Sequence, residues 1–158
     1  MKNIINLLKV LMLSTILLSF VACSQKIVAN GVSQIDMRLY VDGNSLDVEW
    51  ENNESVEKLK ELANINDLTI NTHRYGGFEQ VGEIGQSIVS NNIQMTTEPG
   101  DIVLYNSSNL VVFFGNNSWS YTNLGKIKNK TLSELKQLLD KESVTFVIKT
   151  DKESTSAK

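Results

Sequence analysis

Residues 99–114 read PGDIVLYNSSNLVVFF. Glu98-Pro99-Gly100-Asp101 is a turn built on the chain's only proline, and Ile102-Val103-Leu104-Tyr105 starts a strand at once. Asn106 to Asn109 supplies the polar residues of the next turn. The return, Leu110-Val111-Val112-Phe113-Phe114, is apolar at every position. Because successive strand side chains point to opposite faces, it must be buried on both. It is therefore a central strand, with sheet on one side and a helix or partner on the other.

Shorter alternating segments surround it. Ile35, Met37, Leu39 and Val41 alternate with polar residues, Asp42-Gly43-Asn44 is a tight turn, and Leu46, Val48 and Trp50 alternate again, which is a β-hairpin. Asn53 caps a helix whose Val56, Leu59, Leu62 and Ala63 recur at helical spacing, opposite Glu57, Lys58, Lys60 and Glu61. Leu68 to Arg74 reads as a strand, Gly76-Gly77 as a turn and Phe78 to Val81 as the return; Gly82 and Gly85 make the next segment irregular. Ile93, Met95 and Thr97 alternate, and Trp119 to Thr122 is another strand. Thr131-Leu132-Ser133-Glu134 is a capping box, opening a helix with Leu132, Leu135, Leu138 and Leu139 on one face. Val144 to Ile148 closes the sheet. About eight short strands and two helices, without parallel βαβ spacing, predict a mainly β protein: a closed barrel capped by two α-helices, one domain over residues 34–149.

The N-terminus predicts an address. Lys2 and Lys9 precede an apolar run from Val10 to Val21. As a helix that run would span about 18 Å, against roughly 30 Å of bilayer hydrocarbon, so residues 1–22 read as an export signal and not as a permanent anchor. Phe20-Val21-Ala22-Cys23 resembles the bacterial lipobox, with Phe20 in place of the usual leucine. The resemblance implies lipid attachment at Cys23, a tether over residues 23–33 and a place in the bacterial cell envelope, facing outside the cytoplasm. Two or three acyl chains, each buried CH₂ contributing roughly 0.8 kcal/mol, make such attachment stable. As Cys23 is the sole cysteine, the domain has no internal disulfide to rely on. Residues 150–158 (TDKESTSAK) are apolar-free and read as a frayed, disordered tail.

Removing residues 1–22 takes Lys2 and Lys9 and no acid, so 15 basic side chains fall to 13 against 18 acidic ones, a net charge near −5. That argues against nucleic acid as a partner. A monomer is expected.

The order and spacing of Pro99 to Tyr105, Leu110 to Phe114 and Ser120-Tyr121-Thr122-Asn123-Leu124-Gly125-Lys126-Ile127 resemble the bacterial cyclophilin-like small-barrel family, over nearly all of residues 35–148. The resemblance implies a cyclophilin-type barrel with two capping helices. It implies little chemistry, since a fold is not a function.

Prolyl isomerases of the cyclophilin fold carry Phe-His-Arg after the first helix, then Gly-Phe and a glutamine. Here Thr72-His73-Arg74, Gly77-Phe78 and Gln80 stand at similar places. The resemblance implies that Arg74 donates to the proline nitrogen and weakens amide resonance, lowering a barrier of roughly 18–20 kcal/mol, with Phe113 or Phe114 as an apolar surface. One donor in a dry site contributes roughly 3–4 kcal/mol. Thr72 replaces the phenylalanine, however, the connection to Gly77-Phe78 is shorter by one residue, and the later Trp and His of the proline pocket have no match. By strand parity Arg74 shares the core face with Leu68, Ile70 and Thr72, while His73 shares the other with Thr69, Asn71 and Tyr75. Arg74 either opens onto the barrel mouth or pairs with a carboxylate such as Glu79 or Glu83; His73 reads as a surface strand residue.

Other chemistries lack their parts. One histidine and one cysteine are too few for an ordinary zinc site, so no metal or cofactor is expected. No G-x-S-x-G elbow accompanies His73, and the glycine pairs open no helix that would cradle phosphate. Trp50, Phe113, Phe114, Trp119 and Tyr121 read as core or as pocket walls. The expected function is a lipid-anchored, non-catalytic module holding a small ligand or peptide near Arg74, Phe78, Gln80 and Phe113; the alternative is a prolyl isomerase for exported proteins with Arg74 as its catalytic donor.

Overall fold

The hairpin forms as expected: β1 (Met37–Val41) and β2 (Asn44–Leu46) are joined through Asp42 and Gly43, both at positive φ. These belong to a computed structural model that describes residues 36–151. The expected signal segment, Cys23 with its tether, and residues 152–158 of the expected tail lie outside the described residues. Thr150, assigned to that tail, is buried at the end of a strand opposite Met37.

After β2 come β3 (Val48–Trp50), α1 (Glu54–Ile65), β4 (Leu68–Asn71), β5 (His73–Tyr75), β6 (Glu79–Glu83), β7 (Ile93–Thr96), β8 (Asp101–Tyr105), β9 (Asn109–Phe113), β10 (Ser118–Ile127), α2 (Leu132–Leu139) and β11 (Thr145–Thr150). Both helix starts are those the sequence signals. The Asn53 side chain accepts from Val56 N at 3.0 Å. Thr131 and Glu134 close a reciprocal capping box in which Thr131 N donates to Glu134 Oε2 at 2.7 Å. Leu132 departs from expectation, being 51% exposed; α2 packs through Leu135 and Leu139 instead.

The closed barrel is corrected. All pairing described is antiparallel, in two sheets: β2-β1-β11-β4, and β3-β10-β8-β9-β6-β5 with β7 added on β10. The ladders form two separate sheets and do not run round into one cylinder; two extended stretches join the sheets, each passing from one to the other at a single residue. Asp47 separates β2 from β3, and Thr72 separates β4 from β5. The sheets thus face each other across a core to which both contribute: Leu39 and Phe146 from one, Leu104 and Val112 from the other, with Leu59 of α1 and Leu139 of α2. Each such side chain fully buried contributes about 1.5–3 kcal/mol. Gly82 permits the close approach at the Thr72 corner. A Cβ there would stand 2.6 Å from Asn71 O and 2.8 Å from Thr72 Cγ2.

β9 is central and buried on both faces, as its composition dictates. Leu110 and Val112 enter the main core, whereas Val111 and Phe113 join a second, smaller cluster with Val103 and Tyr121 on the outer face of the larger sheet. Among the described residues, neither a helix nor the other sheet covers that second cluster; it is the floor of a cleft.

Candidate functional site

Strand alternation builds the cleft. On β5 and β6 the paired positions His73↔Val81 and Tyr75↔Glu79 turn outward, and Val81↔Val111 and Glu79↔Phe113 carry the same face onto β9. Tyr105 on β8 and Trp119 and Tyr121 on β10 complete the wall, with Asn109 and Asn117 at its polar margins. The cavity has a volume of about 410 Å³, within the range of small-molecule sites. Its aromatic packing is ordered: Tyr121 lies edge-on to Tyr105 at 5.9 Å and to Phe113 at 5.7 Å, and Phe113 stacks on Phe78 at 6.5 Å. Tyr75 and Trp119, 62% and 57% exposed, form the rim.

Within this apolar setting sits one carboxyl group. Glu79 is 6% exposed, and its Oε2 is buried without a hydrogen-bond partner among the described residues. A buried carboxylate that is neither paired nor hydrogen-bonded is costly, so its ionisation is disfavoured. Burial pushes the Glu79 carboxyl up to about 7. Burial and then the Glu79 charge also push the Tyr121 phenol up, against the 2.9 Å hydrogen bond that Asn117 Nδ2 donates to Tyr121 Oη. Because that oxygen already accepts a bond, its own proton is free to donate. The arrangement offers three things: aromatic surface, a carboxyl able to hold or release a proton near neutrality, and a phenol donor.

Of the residues expected to form one mouth, Phe78 and Phe113 come together, but Arg74 and Gln80 do not join them. Arg74 keeps the parity read from sequence, but β5 is the sheet edge, and its guanidinium leaves the sheet to pair with Asp140 at 2.8 Å, just beyond α2. That hydrogen-bonded partner is a different carboxylate from Glu79 and Glu83, and it raises the Arg74 pKa. Gln80 is fully buried: its Nε2 donates to Leu139 O and Lys141 O, each at 2.7 Å, and the Thr72 hydroxyl lies 2.8 Å from its Oε1. It adds a second bond to Leu139 O, which also accepts from Lys141 N at 2.9 Å, and serves the carbonyl of Lys141 just past the end of α2. Phe113 is fully buried beneath the cleft, with Phe78 stacked on it. His73 is an exposed strand residue, as read, and it also lines the cleft.

Glu79 entered the sequence reading only as a partner for Arg74, and Tyr105 and Asn117 did not enter as site residues at all. The usable signal was Leu110 to Phe114: a strand apolar on both faces needs cover on both, and the second cover was left open between a helix and a partner. Among the described residues, no three His, Cys, Asp or Glu side chains are grouped to hold a metal.

A sequence model of the cyclophilin-like family matches residues 39–149. No curated protein matches the chain. The solution structure of a hypothetical protein from Archaeoglobus fulgidus is similar in fold, with a TM-score of 0.54 at 15% identity, over 74% of this chain and 95% of that one.

Proposed function

The chain belongs to the cyclophilin-like family, and from that premise we propose that it is a non-catalytic binding module that holds a small ligand or peptide in the cleft on the outer face of its larger sheet. The observation that carries the reading is Glu79: a carboxyl oxygen without a hydrogen-bond partner among the described residues, set among aromatic side chains that line an open cleft. A protein retains such a group at a cost to stability when something outside the fold completes it. The module is tethered by lipid on Cys23 at the outer surface of a bacterial membrane, a reading that rests on Phe20-Val21-Ala22-Cys23 and the apolar run before it.

Prolyl isomerisation is the weaker reading. It asks for a guanidinium beside an apolar surface, and Arg74 is held by Asp140 away from the cleft-lining residues. Binding is tested by amide-resolved NMR of the protein with pooled small amines, carboxylates, neutral aromatics and short peptides. Shifts should concentrate on His73, Tyr75, Glu79, Tyr105 and Tyr121. If no pool moves them, the binding reading fails.

A further inference from the structure

We propose that the ligand is an organic ammonium, carrying at least one N–H, whose charged head docks on the Glu79 carboxylate between the Tyr105, Trp119 and Tyr121 rings. This rests on the reading of the cleft as a binding site and adds the chemistry of what it takes.

Charge decides first. Among the described residues, the cleft is lined by no lysine or arginine; its ionisable side chains are His73 and Tyr75 from β5, Glu79 from β6, Tyr105 from β8 and Tyr121 from β10. An anionic ligand would enter beside a carboxylate with no permanent cation to meet it. A neutral ligand would leave the ionised carboxylate unpaired. A cation satisfies it, since ion pairing favours the charged form of a buried acid.

Hydrogen bonding decides second. Among the described residues Glu79 Oε2 has no donor, and ionised carboxylate oxygens only accept. The missing partner is therefore a donor, which ammonium N–H supplies in a charge-assisted bond. The aromatic walls decide third. Tyr and Trp faces attract cations through the ring quadrupole, and more strongly where water is excluded. At about 410 Å³ the cavity suits a compact amine or the end of one lysine side chain.

Ammonium heads come from free small amines or from peptide lysines, and the same titration separates the two. The full-length protein is titrated with 2-phenylethylamine, its neutral isostere 2-phenylethanol, anionic 3-phenylpropanoate and the capped tripeptide acetyl-Ala-Lys-Ala-amide, following Trp119 emission and the Glu79 and Tyr121 amides. The amine should bind roughly 10–100-fold more tightly than the alcohol, as one charge-assisted bond and a cation–π contact supply. Glu79→Gln should abolish that preference. Only the ionised carboxylate is competent, so with Glu79 near 7 the amine's affinity should fall roughly 30-fold from about pH 8 to about pH 5.5. His73→Gln separates any contribution of histidine charge to that fall. Saturation by the amine with no response to the tripeptide identifies a free small amine as the ligand; tripeptide binding identifies a peptide lysine. If the alcohol or the anion binds as tightly as the amine, or Glu79→Gln leaves amine affinity intact, the ammonium assignment is overturned while the binding reading survives. If neither these four probes nor any pool of the NMR screen binds, both fall.

Discussion

Replacing Glu79 by glutamine removes a charge the fold carries at a cost, and the size of that cost comes from the site. Burial moves the carboxyl from 4.5 to about 7. At 1.36 kcal/mol per unit, that corresponds to roughly 3 kcal/mol of disfavoured ionisation. The folded pKa lies above the unfolded one, so between these values the folded state holds more protons than the unfolded chain, and stability falls as pH rises. The cost is absent at about pH 4 and complete by about pH 8. Glutamine cannot ionise and escapes it. Urea denaturation of the wild type and of Glu79→Gln at both pH values gives four stabilities, and the quantity of interest is the change in their difference. Any fixed cost of placing an amide in the cleft cancels. Other carboxylates titrate equally in both proteins. Glu79→Gln should gain roughly 3 kcal/mol relative to wild type between about pH 4 and about pH 8, a midpoint shift of roughly 1–3 M urea at ordinary m-values. A difference that does not change with pH refutes the claim that this carboxyl is desolvated and unpartnered.

Gln80→Met keeps the volume and deletes the amide that serves Leu139 O and Lys141 O; denaturation should show a loss of roughly 1–3 kcal/mol from the lost hydrogen bonds, although Leu139 O keeps its bond from Lys141 N. Gly82→Ala forces a methyl to within 2.6 Å of a backbone carbonyl, and should cost roughly 1–3 kcal/mol by the same measurement. A coupled assay on an Ala-Pro peptide should show no isomerisation above background; a rate abolished by Arg74→Ala would restore the enzyme reading. Cys23→Ser should release the protein from membranes in fractionation, whereas unchanged membrane partition refutes lipid attachment.

Local order was legible in the sequence wherever one residue decides it. Asn53, Thr131 with Glu134, and Asp42-Gly43 set helix starts and a turn by their own chemistry, and the structure places them accordingly. The parity of Arg74 and His73 was also correct. What each face meets was not legible, because parity assigns a side without naming its neighbours. The core-side face of β5 ends against the carboxylate beyond α2, and Gln80 on β6 is consumed by that helix end. The other face gathers aromatics from β5, β8 and β10, brought together by register between strands distant in sequence. Glu79 could be recognised only once Phe113 was known to be its cross-strand partner. The sheet change at Asp47 and Thr72 was equally hidden, since a bend leaves alternation intact.

Those two bends carry a consequence for how the protein comes apart. Residues 44–50 and 68–75 each hold a place in both sheets, so peeling either layer drags the chain out of its neighbour. Neither layer can melt alone. Unfolding is therefore expected as a single cooperative transition, in which signals from the cleft and from the smaller sheet are lost together.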